Sequence, residues 1–186
     1  MGATNTNYLI YGAGGHAKVL KDLLSVLATK SEILCYFNDS DEPKELAGIP
    51  VKVYDPTQYL EGSVILGIGN GKVRKLLAEK VKHPFATLVH PSASVAADAE
   101  LGEGTVILAG AVVQAGSKIG KHVIINANVT VDHDAIVSDY VTTYPGVYLG
   151  AESHIAEGTT INSNAVVMRF MKTEAYTEIE PGKIIS

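Results

Sequence analysis

The chain has no tryptophan, one cysteine and only 6% aromatic residues in 186 positions. Its lone Cys35 can close no internal disulfide, which fits a reducing cytoplasm, and by default it is a small buried strand residue. Basic residues are outnumbered: 15 Lys and Arg against 20 Asp and Glu give a formal net charge of −5. That balance speaks against a nucleic-acid partner, whose phosphates demand a basic face. No apolar run approaches the ~20 residues of a membrane-spanning helix, so no membrane insertion is expected. The N-terminus shows no cleavable signal pattern and leads directly into Tyr8-Leu9-Ile10-Tyr11-Gly12. Metal-ligand spacing is missing too: His122 and His154 have no partner at a coordinating interval, so no metal site is expected.

What the second half does contain is a strict period of six. From Val89 to Val167 every sixth residue is Val, Ile or Leu, with Thr143 the single exception among fourteen leads. Four places after each lead stands a mostly small residue, such as Ala93, Ala111, Ser117, Ala135 or Ala165. Ordinary composition does not produce such a run by chance. A fixed short period means a solenoid in which stacked faces bury a continuous core. With three hexads per triangular coil, eighteen residues return the chain about 4.8 Å higher along the ladder. Leads and fifth places point inward; glycines at second and fourth places mark the turns. No hexad carries an insertion, so no long loop projects. After Lys172 the pattern is expected to end, leaving 173–186 as a short extended tail.

Residues 1–85 alternate strand and helix signals. Tyr8–Tyr11 is a short apolar strand closing on Gly12-Ala13-Gly14-Gly15-His16, and a helix with Leu20, Leu23 and Leu24 follows. Ile33–Phe37, Ile49–Val53 and Val64–Ile68 read as further strands, the last followed by Gly69-Asn70-Gly71 and a second helix. Such alternation implies a parallel sheet with ligands at the carboxyl ends of its strands. The loop at residues 12–16 could cradle a phosphate at a helix N-terminus. It departs from the dinucleotide fingerprint, and the chain is too short for a full dehydrogenase. The expected fold is therefore an α/β Rossmann-like βαβ domain over residues 1–85, followed by an all-β domain over 86–186.

His133 stands at the third place of its hexad, which points outward, between Asp132 and Asp134. An imidazole suits the role of base at neutral pH, and an adjacent carboxylate can orient it. On spacing alone an outward histidine on a repeat is more often plain surface, and Asp132 is expected to face solvent.

Hexads of this type resemble the left-handed parallel β-helix of the hexapeptide-repeat acyltransferases. The segments Gly12–Val19, Gly67–Asn70 with Arg74, Phe85–Ala93 and Asn126–Asp134 together resemble the sialic-acid O-acetyltransferase and bacillosamine N-acetyltransferase type. That resemblance implies an acetyl-CoA-dependent sugar acetyltransferase, a homotrimer, acting on a nucleotide sugar for polysaccharide or glycoprotein glycan synthesis. It implies direct transfer without metal, with His133 as general base and Asp134 as its partner. Substrate contacts are implied for Gly12, Gly14, Gly15, His16, Asn38, Asp39, Asn70, Arg74 and Asn126. Coenzyme contacts are implied near Thr142, Gly146 and Ala151, with an oxyanion donor at the Ala151 N–H. Two features depart from the family: Thr142 replaces a second histidine, and a Gly-x-Pro-Ala tail is missing. The residues leave open a sugar hydroxyl as acceptor, and an assembly or binding protein that kept the prism and lost activity.

Overall fold

A computed structural model of the chain describes residues 6–27, 31–40 and 44–186. The first strand, β1 (Thr6–Tyr11), is followed by α1 (Gly15–Val26), β2 (Ser31–Asn38), β3 (Glu45–Leu46), β4 (Ile49–Val53), β5 (Ser63–Leu66) and α2 (Gly71–Lys80). The sheet order is β3-β4-β2-β1-β5. Strands β1, β2, β4 and β5 run parallel, and only the short β3 is antiparallel to β4. Apolar runs fill the inner strands because both faces are covered: Leu9, Ile10, Cys35, Tyr36, Phe37, Val64 and Ile65 are all buried. Helix α1 turns Ala17, Leu20, Leu23 and Leu24 inward.

The strand order reverses beside β1, with β2 on one side and β5 on the other, and in parallel sheets the carboxyl ends at such a switch point are where ligands generally bind. Backbone bonds draw those ends together: Gly12 N–H donates to Phe37 C=O and Gly67 N–H to Tyr11 C=O, each at 2.7 Å. Gly12 has φ +116°, and a Cβ there would collide with Ile68 and crowd the Gly67 carbonyl. Only glycine fits that approach.

From Leu88 the chain winds as a three-sided parallel ladder. One face stacks the strands Leu88–Val89, Val106–Ile107, Ile124–Ile125, Thr142–Thr143, Thr160–Ile161 and Glu178–Ile179. The second stacks Ser94–Val95, Val112–Val113, Thr130–Val131, Tyr148–Leu149, Val166–Val167 and Ile184–Ile185. The third stacks Glu100–Leu101, Lys118–Ile119, Ile136–Val137 and His154–Ile155. Each strand pairs with the one eighteen residues on, as in Val112↔Thr130 and Thr130↔Tyr148. Leads and fifth places form one core, from Ile107 and Ala111 through Val131 and Ala135 to Val167 and Ile179. The polar lead Thr143 is fully buried and satisfied: its hydroxyl donates to Ile124 C=O at 3.0 Å and accepts Asn126 N–H at 3.3 Å.

Every fourth place from Gly104 to Gly182 has a left-handed backbone, including non-glycines such as His122, Asn128, Asp134 and Tyr140. Some fourth-place glycines do more than permit the turn. A Cβ at Gly110, Gly116 or Gly146 would overlap the side chain of Asn128, Asp134 or Asn164, one coil above. The small residue below makes room for the larger one.

The extended tail expected after Lys172 is corrected by the strand pairing. Lys172 bridges to His154, Glu178–Ile179 pairs with Thr160–Ile161, and Ile184–Ile185 pairs with Val166–Val167. The hexad register continues through Thr173, Ile179 and Ile185. The backbone forms two compact units. One takes the chain up to Gly69 with Leu76–Ala86; the other takes Asn70–Lys75 and Thr87–Ser186. The first turn of α2 thus counts with the solenoid.

Candidate active site

His133 and Asp134 form the turn between the strands Thr130–Val131 and Ile136–Val137, at the edge joining the second and third faces. Asp134 adopts φ 58°, a conformation Asp tolerates better than bulkier residues. Its backbone N–H donates to Ala115 C=O at 3.0 Å, and Glu152 N–H donates to His133 C=O at 3.1 Å. The turn is therefore stapled to the coil below and the coil above.

The side chains make a dyad. His133 Nδ1 lies 2.8 Å from Asp134 Oδ2, with side-chain exposures of 52% and 60%. The Asp134 hydrogen bond, helped by the Asp132, Asp134 and Glu152 charges, holds the imidazole pKa above its ordinary value. With Nδ1–H donating to the carboxylate, the lone pair is on Nε2, the geometry of an oriented base. Ala151 stands one coil above His133 at the same place in its hexad.

Asp132 does not simply face solvent. Its Oδ1 accepts the His133 backbone N–H at 2.8 Å, and its Oδ2 accepts the Tyr148 hydroxyl at 2.6 Å. These two bonds, the Tyr148 one foremost, hold its carboxyl below the usual carboxylate range.

The other expected site residues are dispersed. Asn126 and Gly146 stand on the preceding edge, between the first and second faces. Asn126 Oδ1 accepts Ala127 N–H at 2.8 Å, and Gly146 N–H donates to Ala127 C=O at 3.1 Å. Arg74 and Thr142 need correction. Arg74 is 1% exposed, and its guanidinium donates to the carbonyls of His122, Tyr140 and Val141 at 3.0, 2.8 and 3.1 Å. It also donates to Thr142 Oγ1 at 2.8 Å, and Thr142 is buried with it. Both side chains anchor the first turn of α2 to the ladder, so neither is presented to a ligand. Burial pushes the guanidinium down to about 10, which still leaves it charged at neutral pH. Asn70 caps α2, its Oδ1 accepting Val73 N–H at 3.1 Å.

In the α/β unit, Gly14 is the N-cap of α1 with no side-chain cap, and nothing lies within 4 Å of where a Cβ on Gly14 or Gly15 would stand. The first-turn N–H groups of α1, next to half-buried His16, are thus approachable, as a phosphate cradle requires. Asn38 ends β2, and exposed Asp39 follows. Asp39 Oδ1 accepts the Tyr11 hydroxyl at 2.9 Å and Lys80 Nζ at 3.0 Å. Lys80 carries no motif of its own and meets Asp39 only through the fold. A cleft of about 430 Å³ on the third face is lined by Lys118, Ile136, Ser138, Asp139 and Glu157 and includes neither dyad residue. Among the described residues no His, Cys, Asp and Glu cluster has a metal-binding arrangement, and no helix is long and apolar enough to cross a membrane.

Residues 7–81 match the family described as the PglD N-terminal domain, and residues 98–133 match the bacterial transferase hexapeptide repeat. The first half is thus similar to the PglD N-terminal domain and part of the solenoid to the bacterial transferase hexapeptide repeats. It is 37% identical over 112 residues to UDP-N-acetylbacillosamine N-acetyltransferase of Bacillus subtilis, a match covering 55% of this chain and 51% of that relative. This chain therefore aligns with about half the length of that curated relative. A histidine-to-asparagine mutant of perosamine N-acetyltransferase from Caulobacter crescentus, solved with CoA and GDP-perosamine, superposes with a TM-score of 0.89 at 26% identity. That match covers 97% of this chain and 88% of the other. The acetyltransferase domain of PglB from Neisseria gonorrhoeae, in complex with acetyl coenzyme A, gives 0.67 at 27% identity, covering 97% and 96%. The hexapeptide solenoid is accordingly a left-handed parallel β-helix.

Proposed function

We propose that this protein transfers the acetyl group of acetyl-CoA to the amine of a nucleotide-linked amino sugar. The observation that carries the reading is the exposed His133–Asp134 pair, 2.8 Å apart, on a solenoid whose solved neighbours were crystallised with CoA and with GDP-perosamine. His133 Nε2 takes a proton from the attacking amine as its nitrogen bonds to the thioester carbonyl carbon. The carbon–sulfur bond then breaks, the coenzyme leaves as thiolate and recovers the proton, and His133 returns to its neutral form. Asp134 holds the imidazole in the useful tautomer throughout. The Ala151 N–H, one coil above, serves the developing oxyanion.

The approachable N-terminus of α1, with Gly12, Gly14, Gly15 and His16, receives the diphosphate, and Asn38 and Asp39 meet the nucleoside. Asn126 lies toward the acceptor, and Gly146 toward the coenzyme. The working form is a homotrimer in the cytoplasm, in which a second copy completes the surface over the open edge carrying His133. The names of the relatives favour an amine over a sugar hydroxyl as acceptor.

A thiol-release assay with acetyl-CoA tests this, using UDP- and GDP-linked amino sugars and a sialic acid as acceptors. Release dependent on an amino-sugar nucleotide is expected. Release only with sialic acid would make it an O-acetyltransferase; no release and no coenzyme binding by calorimetry would leave an assembly protein. Sedimentation at equilibrium checks the trimer.

A further inference from the structure

Tyr148 lies in the strand Tyr148–Leu149, one coil above Thr130, and has no part in the proton transfer proposed above. Its hydroxyl nevertheless makes the 2.6 Å bond to Asp132 Oδ2, whose twin oxygen accepts the His133 N–H at 2.8 Å. From the coil below, Ser117 Oγ donates to the Asp132 carbonyl at 2.8 Å. The carboxylate of Asp132 on its own would be a solvated side chain on an open edge. Two short charge-assisted bonds, one from a stiff aromatic residue seated in the ladder, give it a single position.

We infer that Tyr148 is a positioning residue of the acetyl transfer: through Asp132 it fixes the stretch of backbone from which the His133 imidazole projects. This rests on His133 being the base. The charges facing His133 are Asp134, Asp132 and Glu152, and Tyr148 supplies the largest influence on the Asp132 carboxyl. Geometry and charge can therefore be separated by two substitutions. Tyr148→Phe keeps the ring and both carboxylates but releases Asp132. Asp132→Asn keeps an acceptor for the His133 N–H but removes one negative charge.

For Tyr148→Phe, kcat should fall about tenfold through misplacement of the base. Each KM should stay within about twofold, the signature of an effect on the chemical step. The acidic limb of its pH profile should stay in place, while the Asp132 carboxyl, followed by carbon NMR, titrates at higher pH. For Asp132→Asn, the His133 titration and the acidic limb should both move to lower pH. A tyrosine that only packs would change the melting temperature and leave kcat and both titrations alone. A folded Tyr148→Phe enzyme with the kcat of the parent and an unmoved Asp132 titration overturns the inference. If that variant does not fold, a folded Asp132→Ala enzyme with the kcat of the parent overturns it, because that substitution removes both side-chain bonds through which Tyr148 would act. A parent chain without turnover counts against the acetyl-transfer reading itself, and the two NMR titrations still judge the contacts.

Discussion

His122 and Asp134 both occupy the fourth place of a hexad, with φ 52° and 58°, yet the edges they form differ in almost everything else. At the first, the His122 ring is buried and stacked on Tyr140 from the coil above, 5.4 Å between centroids and 7° from parallel. Its carbonyl is held by Arg74, and burial drives its pKa down to about 4. At the second, His133 stands in solvent with a carboxylate on Nδ1, and its pKa moves up. The repeat supplies the same turn twice. Which place of the turn a histidine takes, what stands one coil above and what covers the edge decide whether its imidazole is a neutral packing unit or a base.

Substitutions can break this contrast from either side. Arg74→Ala should hurt stability most. It leaves buried carbonyls without a partner at the covered edge, where each lost bond to a charged group is worth about 1.5–3 kcal/mol. Urea unfolding should show a loss on the order of 3 kcal/mol or more. At the open edge, Asp134→Asn tolerates the left-handed turn but removes the charge. We expect kcat/KM to fall roughly tenfold or more, with the acidic limb shifted to lower pH because the imidazole loses the partner that raised its pKa. Gly116→Ala, one coil below, puts a Cβ where Asp134 Oδ1 lies and strains a backbone at φ +70°. A fall in activity of about tenfold is expected, with the solenoid's circular dichroism unchanged. The smallest effect belongs to His122→Asn. A histidine kept neutral by burial leaves stability intact above its unfolded pKa and subtracts from it as pH falls from there toward 4. Urea midpoints at pH 7 and pH 5 should therefore differ less in the variant than in the parent.

The period of six made the solenoid legible because each lead must be apolar to fill the prism, and Thr143 kept the register by finding two backbone partners. The last coil was missed for a physical reason. Thr173 and Lys183 stand at a lead and a fifth place, where inner coils need apolar or small residues, and an end coil has a neighbour on one side only. Ile179 and Ile185 were the surviving signal. The dyad was legible as adjacent residues at an outward place. Tyr148 was not, although the spacing contained it: vertical neighbours lie eighteen residues apart, so Tyr148 stands over Thr130, two residues before Asp132. Arg74 was expected, from the resemblance, to contact the substrate. Only the packing of that turn on the ladder reveals it as an anchor.

The most direct test of the account is the rate of acetyl-CoA-dependent thiol release, with the preferred amino-sugar nucleotide, by parent and His133→Asn proteins of matched folding. The parent should turn over and the variant should lose on the order of a thousandfold in kcat while still binding coenzyme. A His133→Asn protein that releases thiol at the parent's rate would contradict the assignment of the open edge as the seat of the chemistry.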